Sequence, residues 1–109
     1  MITMAFSIKQ NDTSPSLQVT LKDASLTPIN LSGATVMFHM KSVDGTVKID
    51  ETMTITDAES GVIQYGWQVG DTDTVGTYYV EFEVTYSDAS VETFPNNGNK
   101  VVKVVRELN

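Results

Sequence analysis

A run of alternating side chains between residues 76 and 87 constrains the fold of this chain more than any other feature. Five positions on one face of the run are apolar or aromatic: Tyr78, Val80, Phe82, Val84 and Tyr86. The positions between them are mainly polar: Tyr79, Glu81, Glu83 and Thr85. A period of two is typical of a β-strand, whereas a helix repeats every 3.6 residues. The run therefore predicts a long strand with one buried face.

Shorter segments of the same kind recur along the chain. We predict further strands at residues 6–8, 16–22, 34–41, 46–49, 52–56, 62–67, 90–94 and 100–106. Turn residues separate them, and the pair Asp44-Gly45 indicates a tight hairpin. No stretch has the period of an amphipathic helix. Eight or nine short strands separated by turns predict an all-β chain, folded as an immunoglobulin-like sandwich of two antiparallel sheets.

The length and the absence of cysteine limit how such a fold is held together. The chain has 109 residues, which suits one domain. We expect residues 6–109 to form it and residues 1–5 to be disordered or a leader. Without cysteine no disulfide can join the sheets, so packing must do so. Val80 stands where an antibody domain has its second cysteine, so we expect aliphatic packing there in place of the disulfide. Gly76-Thr77-Tyr78 resembles a tyrosine corner.

The net charge argues against several classes of partner. The chain carries 14 acidic and 7 basic residues, for a net charge of −7, and its basic residues are scattered. Nucleic acids and anionic membranes are bound by clustered lysine and arginine side chains. No apolar run approaches the roughly 20 residues of a membrane-spanning helix. We therefore expect neither nucleic acid nor membrane as a partner.

The sequence offers few residues that could serve as catalytic groups. The one histidine, His39, lies on the polar face of a predicted strand. A general base needs a positioned partner, so we interpret His39 as a surface or interface imidazole. The pair Glu81 and Glu83 lies on an open sheet face rather than across a cleft, which does not suit a glycosidase. Phosphate-binding loops and hydrolase motifs are absent. We expect no enzyme activity, no catalytic residue and no cofactor.

One acidic loop has two interpretations. Asp71 and Asp73 alternate in a loop, and Asp57 and Glu59 precede them in the chain. Alternate aspartates can present oxygen ligands to Ca²⁺, but aspartates also cap turns. Because the spacing and the number of ligands differ from those of a calcium loop, we assign no metal site.

The aromatic residues are also open to two interpretations. Most of them fall on predicted inward positions, which favours core packing over a platform for sugars. Tyr79 is the aromatic residue that we expect to point outward. If the strands at 34–41 and 76–87 are neighbours, Tyr79 lies near Met37 and His39 on an open face. Large, partly apolar side chains grouped in this way predict a protein contact at Met37, His39 and Tyr79.

Four segments in a fixed order resemble a known family. They are Phe6-Ser7-Ile8-Lys9-Gln10-Asn11-Asp12-Thr13-Ser14-Pro15, Leu31-Ser32-Gly33-Ala34-Thr35-Val36-Met37-Phe38-His39-Met40, a central block of Gly61-Val62-Ile63-Gln64-Tyr65, Asp71-Thr72 and Gly76-Thr77-Tyr78, and Thr93-Phe94-Pro95-Asn96 with the final valine-rich strand. In this order and spacing they resemble the N-terminal domain of phage baseplate upper proteins, and the resemblance covers nearly the whole chain.

The resemblance implies a structural protein of the virion, in the tail, baseplate or neck. It implies other virion proteins as partners, self-association or docking on a symmetric ring, and synthesis in the cytoplasm of the bacterial host. It implies no enzyme activity. The alternative function is a carbohydrate-binding module that recognises glycans of the host surface. That alternative follows from the fold class alone, and it requires exposed aromatic side chains.

The assignment of faces can be tested at Phe82. Because Phe82 lies in the middle of the predicted core face, Phe82→Ala should lower the free energy of unfolding by about 3–5 kcal/mol. Urea unfolding of the two proteins measures this difference, which is large against the ~5–15 kcal/mol of a typical domain. A loss below ~1 kcal/mol would mean that the inward and outward faces are exchanged.

Overall fold

The computed structural model describes residues 4–95 and 100–107, and within them the chain forms nine strands. The strands are β1 (Met4–Lys9), β2 (Leu17–Thr20), β3 (Thr35–Ser42), β4 (Val47–Thr52), β5 (Thr54–Asp57), β6 (Val62–Tyr65), β7 (Gly76–Thr85), β8 (Val91–Phe94) and β9 (Lys100–Val105). In these two ranges no helix has the length and apolarity required to cross a membrane.

The long strand β7 lies at the centre of the larger sheet. It pairs with β3 along one side, from Thr85 opposite Thr35 to Tyr78 opposite Ser42. On its other side β9 pairs with the first half of β7, and β8 pairs with the second half. The order is β1-β9-β7-β3-β4 in this sheet and β2-β6-β5 in the second. The two sheets form the predicted immunoglobulin-like sandwich.

The predicted strands are confirmed in number and face, and their bounds differ by a few residues. β1 begins at Met4, two residues before the predicted start, and pairs with β9 in parallel rather than antiparallel fashion. A parallel pair needs a long connection, and here the whole sandwich separates the two strands. The strand predicted at residues 52–56 starts at Thr54, because β4 continues to Thr52 and the chain changes sheet at Met53. Residues 96–99 of the predicted loop lie outside the described residues.

An aromatic cluster, rather than aliphatic packing alone, lies between the two sheets. Phe38 of β3 stacks on Phe82 of β7, with ring centroids 5.7 Å apart. From the facing sheet, Tyr65 approaches Phe38 to 4.9 Å, and Trp67 meets it edge-on at 6.1 Å. All four side chains are buried, together with Val80, as the alternation predicted. Aromatic pairs of this geometry add to the free energy of burial, so they join the two sheets without a covalent bond.

The tyrosine corner predicted at the start of β7 is present. The Tyr78 hydroxyl donates to the backbone carbonyl oxygen of Thr74 at 2.6 Å. Two hydrogen bonds fix the same loop to the turn after β1. The buried Thr72 hydroxyl donates to the carbonyl oxygen of Asp12 at 2.8 Å. The Asn11 amide donates to the carbonyl oxygen of Thr72 at 2.9 Å. Hydrogen bonds of this kind hold the connection between β6 and β7 in one conformation.

The turn before β6 leaves no room for a side chain at Gly61. Its φ is +69°, and a Cβ atom there would lie 2.7 Å from the carbonyl oxygens of both Leu21 and Ile29. The Leu21 amide donates to the Gly61 carbonyl oxygen at 2.8 Å, which brings the two backbones together. Only glycine satisfies both the positive φ and the close approach.

We expect Gly61→Ala to lower the free energy of unfolding by more than ~2 kcal/mol, because a left-handed conformation costs about 1–2 kcal/mol for an L-residue and the clash adds to it. Gly45→Ala is the matched control, since Gly45 has φ +91° but nothing within 4 Å of a Cβ. Urea unfolding of the three proteins measures the effect. Equal losses in the two variants would contradict the role of the close approach.

Candidate functional site

The pairing of β3 with β7 brings the three predicted contact residues onto one outer face. Lys41 lies opposite Tyr79, His39 opposite Glu81, and Met37 opposite Glu83. The three predicted residues therefore share a face that points away from the core, which we call the outer face. Tyr79 is 46% exposed and Met37 is half-buried. The Met37 sulfur accepts a hydrogen bond from the Thr52 hydroxyl at 3.4 Å.

A groove of about 220 Å³ opens beside Tyr79 on this face. Its apolar walls are Tyr79, Val43 at the tip of the β3–β4 hairpin, and Pro95 after β8. His39, Lys41, Glu81 and Lys100 supply polar groups around it. Of the three predicted residues, the groove thus includes His39 and Tyr79, while Met37 lies farther along the face. A concave site with apolar walls and a few charged groups is suited to binding a side chain of a partner.

His39 is held between carboxylates. Its Nδ1 atom lies 2.7 Å from an oxygen of Asp50 on β4, and its Nε2 atom lies 3.7 Å from an oxygen of Glu83 on β7. In a catalytic triad the second ring nitrogen faces a nucleophilic hydroxyl. Here that nitrogen faces a second carboxylate instead. The arrangement fixes the orientation of the ring on the outer face.

The charges on the outer face are separated into two halves. Around Met37 and His39 the charged residues are acidic: Asp50, Glu81 and Glu83. Towards the start of β7 the charged residues are lysines: Lys41 lies opposite Tyr79, and Lys103 lies opposite Thr77. The groove lies where the two halves meet. A face with this distribution attracts a partner in one orientation and disfavours the reverse.

Lys100 connects the groove with the interior. It lies at the start of β9 and also lines a second cavity of about 100 Å³, between Phe6, Leu17 and Val80. Its ammonium group is 5.9 Å from the centroid of the Phe82 ring, close enough for a cation–π contact. Burial lowers the pKa of Lys100, because the charged form loses part of its hydration.

The loop considered for Ca²⁺ places its aspartates in separate interactions. Asp71 accepts hydrogen bonds from the Tyr65 hydroxyl at 2.7 Å and from the Gln68 amide at 2.8 Å. Burial, and then the bond to Asp71, raises the pKa of Tyr65 well above its usual range. Asp73 pairs with Lys48 at 2.5 Å, which holds the pKa of its carboxyl below the usual range. Across residues 4–95 and 100–107 no three potential ligands are grouped for a metal ion.

Asp44 shapes one wall of the groove. Its carboxylate accepts hydrogen bonds from the Ser42 hydroxyl and, at 3.0 Å, from the Thr46 amide. These bonds close the hairpin whose tip carries Val43. They favour the charged carboxylate, so they lower the pKa of Asp44 from 3.8 to about 2.

Several groups of this site were not predicted from the sequence. Asp50 was not connected with His39, because the register of β4 depends on a bulge next to Met40. Val43 and Pro95 were assigned only to turns and loops. The pair Asp44-Gly45 was the one available signal, since it indicated which segment would fold back beside β3.

The lowered pKa of Asp44 predicts a pH dependence. A carboxyl whose pKa falls on folding stabilises the fold above its unfolded pKa of 3.8, and that contribution disappears as the pH falls through the folded value of about 2. We expect Asp44→Asn to be less stable than wild type near pH ~6, and the difference to shrink towards zero near pH ~2. Urea unfolding of both proteins at several pH values measures it, with Asp57→Asn as the control. A difference that does not change with pH would contradict the assignment.

Comparison with known proteins identifies the family. No curated protein matches the sequence. The family model for the BppU N-terminal domain matches residues 3–98. The match spans most of the chain and agrees with the order of segments and the sandwich fold described above. The chain therefore belongs to the family of the N-terminal domain of phage baseplate upper proteins, and it is a structural protein related to the phage baseplate.

Proposed function

We propose that this domain is an attachment module of the virion, in the tail, baseplate or neck, and that it acts through protein–protein contact on its outer face. The observation that carries the proposal is the groove beside Tyr79. An exposed tyrosine, an aliphatic hairpin tip and a proline surround a concavity there. Tyrosine is enriched at the centres of protein interfaces because it buries a large area at a low cost in conformational entropy.

The separation of charges supports a contact between copies of the chain or with a symmetric ring. The net charge of −7 leads one to expect an acidic outer face. A face that was acidic throughout would repel a second copy. Lys41 and Lys103 make one half of the outer face basic, so an acidic element of a neighbouring subunit can approach that half. Opposite charges at such a contact set its orientation and speed its formation.

Two other functions receive less support from the site. A carbohydrate platform needs exposed aromatic rings, yet Tyr65, Trp67, Tyr78 and Phe82 are buried. Tyr79 is the only exposed aromatic side chain among residues whose burial is described. A catalytic triad would need a nucleophilic hydroxyl beside His39, whereas both ring nitrogens face carboxylates. We therefore propose a binding role without catalysis.

Tyr79→Glu tests the contact. We expect the wild-type protein to gain mass with concentration in light scattering, and the variant to remain monomeric and to be absent from purified particles, because it places a charge on an apolar wall. Thr85→Glu is the matched control. It adds the same charge to the same face of β7, but at a position opposite Thr35 and outside the groove.

Two results would refute the proposal. The attachment role fails if the labelled wild-type protein is missing from purified particles. The outer face is ruled out if the wild type is monomeric at all concentrations while Tyr79→Glu is still incorporated into particles.

A further inference from the structure

Leu26 combines two features that rarely occur together. It is 65% exposed, although leucine is strongly apolar. Its φ is +64°, in the left-handed region that disfavours residues with a branched side chain. Neither feature improves the stability of the isolated domain. Strained residues persist when the surrounding structure imposes them, and they concentrate at binding and switch sites.

The surrounding structure does impose this conformation. Leu26 is at the end of a short hairpin closed by a bridge between Lys22 and Pro28. Within it the Leu26 amide donates to the Asp23 carbonyl oxygen at 2.9 Å, and the Asp23 amide donates to the Thr27 carbonyl oxygen at 2.9 Å. The Asp23 carboxylate accepts from the amides of Ser25 and Thr27 at 2.8 and 3.0 Å. These bonds fix the backbone of the hairpin at Leu26, which reduces the backbone entropy lost on binding.

We propose that the Leu26 hairpin of one copy docks into the groove beside Tyr79 of a second copy. This inference rests on the proposed function and names the occupant of its groove. A cavity of about 150 Å³ lined by aliphatic side chains can hold benzene. The groove measures about 220 Å³ and has apolar walls at Tyr79, Val43 and Pro95, so its volume is sufficient for a leucine side chain.

The charges on the two surfaces are complementary. The loops at the Leu26 end of the sandwich, residues 22–34, 57–61 and 86–90, contain four acidic residues and one lysine. A Cβ atom at Gly33 would lie 3.2 Å from the Cβ atom of Ser87. The Leu31 amide donates to the Ala58 carbonyl oxygen at 2.8 Å. These loops are therefore adjacent. The groove lies where the two halves of the outer face meet, and it is lined by two lysines, Lys41 and Lys100, and one glutamate, Glu81. An acidic end that carries an apolar side chain therefore meets a groove with apolar walls and more lysine than acidic side chains in its lining.

This contact joins two different surfaces of the same chain. Each copy offers one hairpin and one groove, so a third copy can bind a pair in the same way as the second bound the first. Contacts of this head-to-tail type close into a ring when the rotation between neighbours permits, and otherwise form an open filament. An isologous dimer would stop at two copies.

The first test removes the leucine without harming the fold. Leu26→Asn should abolish the concentration-dependent gain in mass. At a concentration where both proteins are monomeric, its melting temperature should be equal to or above that of wild type, because asparagine tolerates a positive φ. Leu26→Met keeps an apolar side chain and should still associate. The proposal is overturned if the wild type is monomeric, if Leu26→Asn associates like wild type, or if its melting temperature falls clearly below that of wild type.

The second test is complementation. Val43→Glu adds a negative charge to the groove and should also be monomeric. An equimolar mixture of Leu26→Asn and Val43→Glu retains one intact hairpin and one intact groove, so it should form heterodimers and nothing larger. A mixture that stays monomeric or regains the full mass overturns the head-to-tail contact. Neither result depends on Tyr79→Glu or on presence in particles, so the proposed function is judged separately.

Discussion

The contact between Phe38 and Phe82 is the interaction on which the rest of the structure depends. The two rings stack across the central pair of strands, and Tyr65 of β6 and Trp67 just after it contact Phe38 from the opposite side of the sandwich. An immunoglobulin-like domain commonly joins its sheets at this level with a disulfide. Here the chain has no cysteine, so the aromatic cluster fixes the separation and alignment of the sheets. This packing leaves the indole nitrogen of Trp67 buried without an acceptor among the described residues, which lowers the free energy of unfolding.

The same central strand pair also organises the outer face. Because side chains alternate along β3 and β7, every inward residue that builds the core determines which residues point outward. Phe38 and Met40 are buried, which leaves Met37, His39 and Lys41 on the other side. Phe82 and Val80 are buried, which leaves Tyr79 and Glu81. The proposed contact surface is therefore tied to the core, and a shift of register by one residue would disrupt both.

Prediction from the sequence succeeded where a local pattern determines the outcome. The alternation in β7, the hairpin at Asp44-Gly45 and the tyrosine corner at Tyr78 are each encoded within a few residues, and all three are present. Contacts between distant segments carry no such local signal. The parallel partner of β1, the pair His39–Asp50 and the wall formed by Pro95 depend on how complete strands are arranged. The positive φ of Leu26 likewise has no local signal, because leucine is not a residue that marks such a conformation.

The parallel pairing of β1 with β9 has a mechanical consequence. Met4 lies beside Lys100 and Lys9 beside Val105, so the chain enters this ladder at one end and leaves it at the other. Tension applied between residues 4 and 105 then acts along the strands and loads the ladder in shear. Its hydrogen bonds run between the strands, so they share the load and cannot open one at a time from an end. Forced unfolding is governed by the barrier to unfolding rather than by equilibrium stability. The terminal strands thus allow a small domain without covalent cross-links to transmit force along its length.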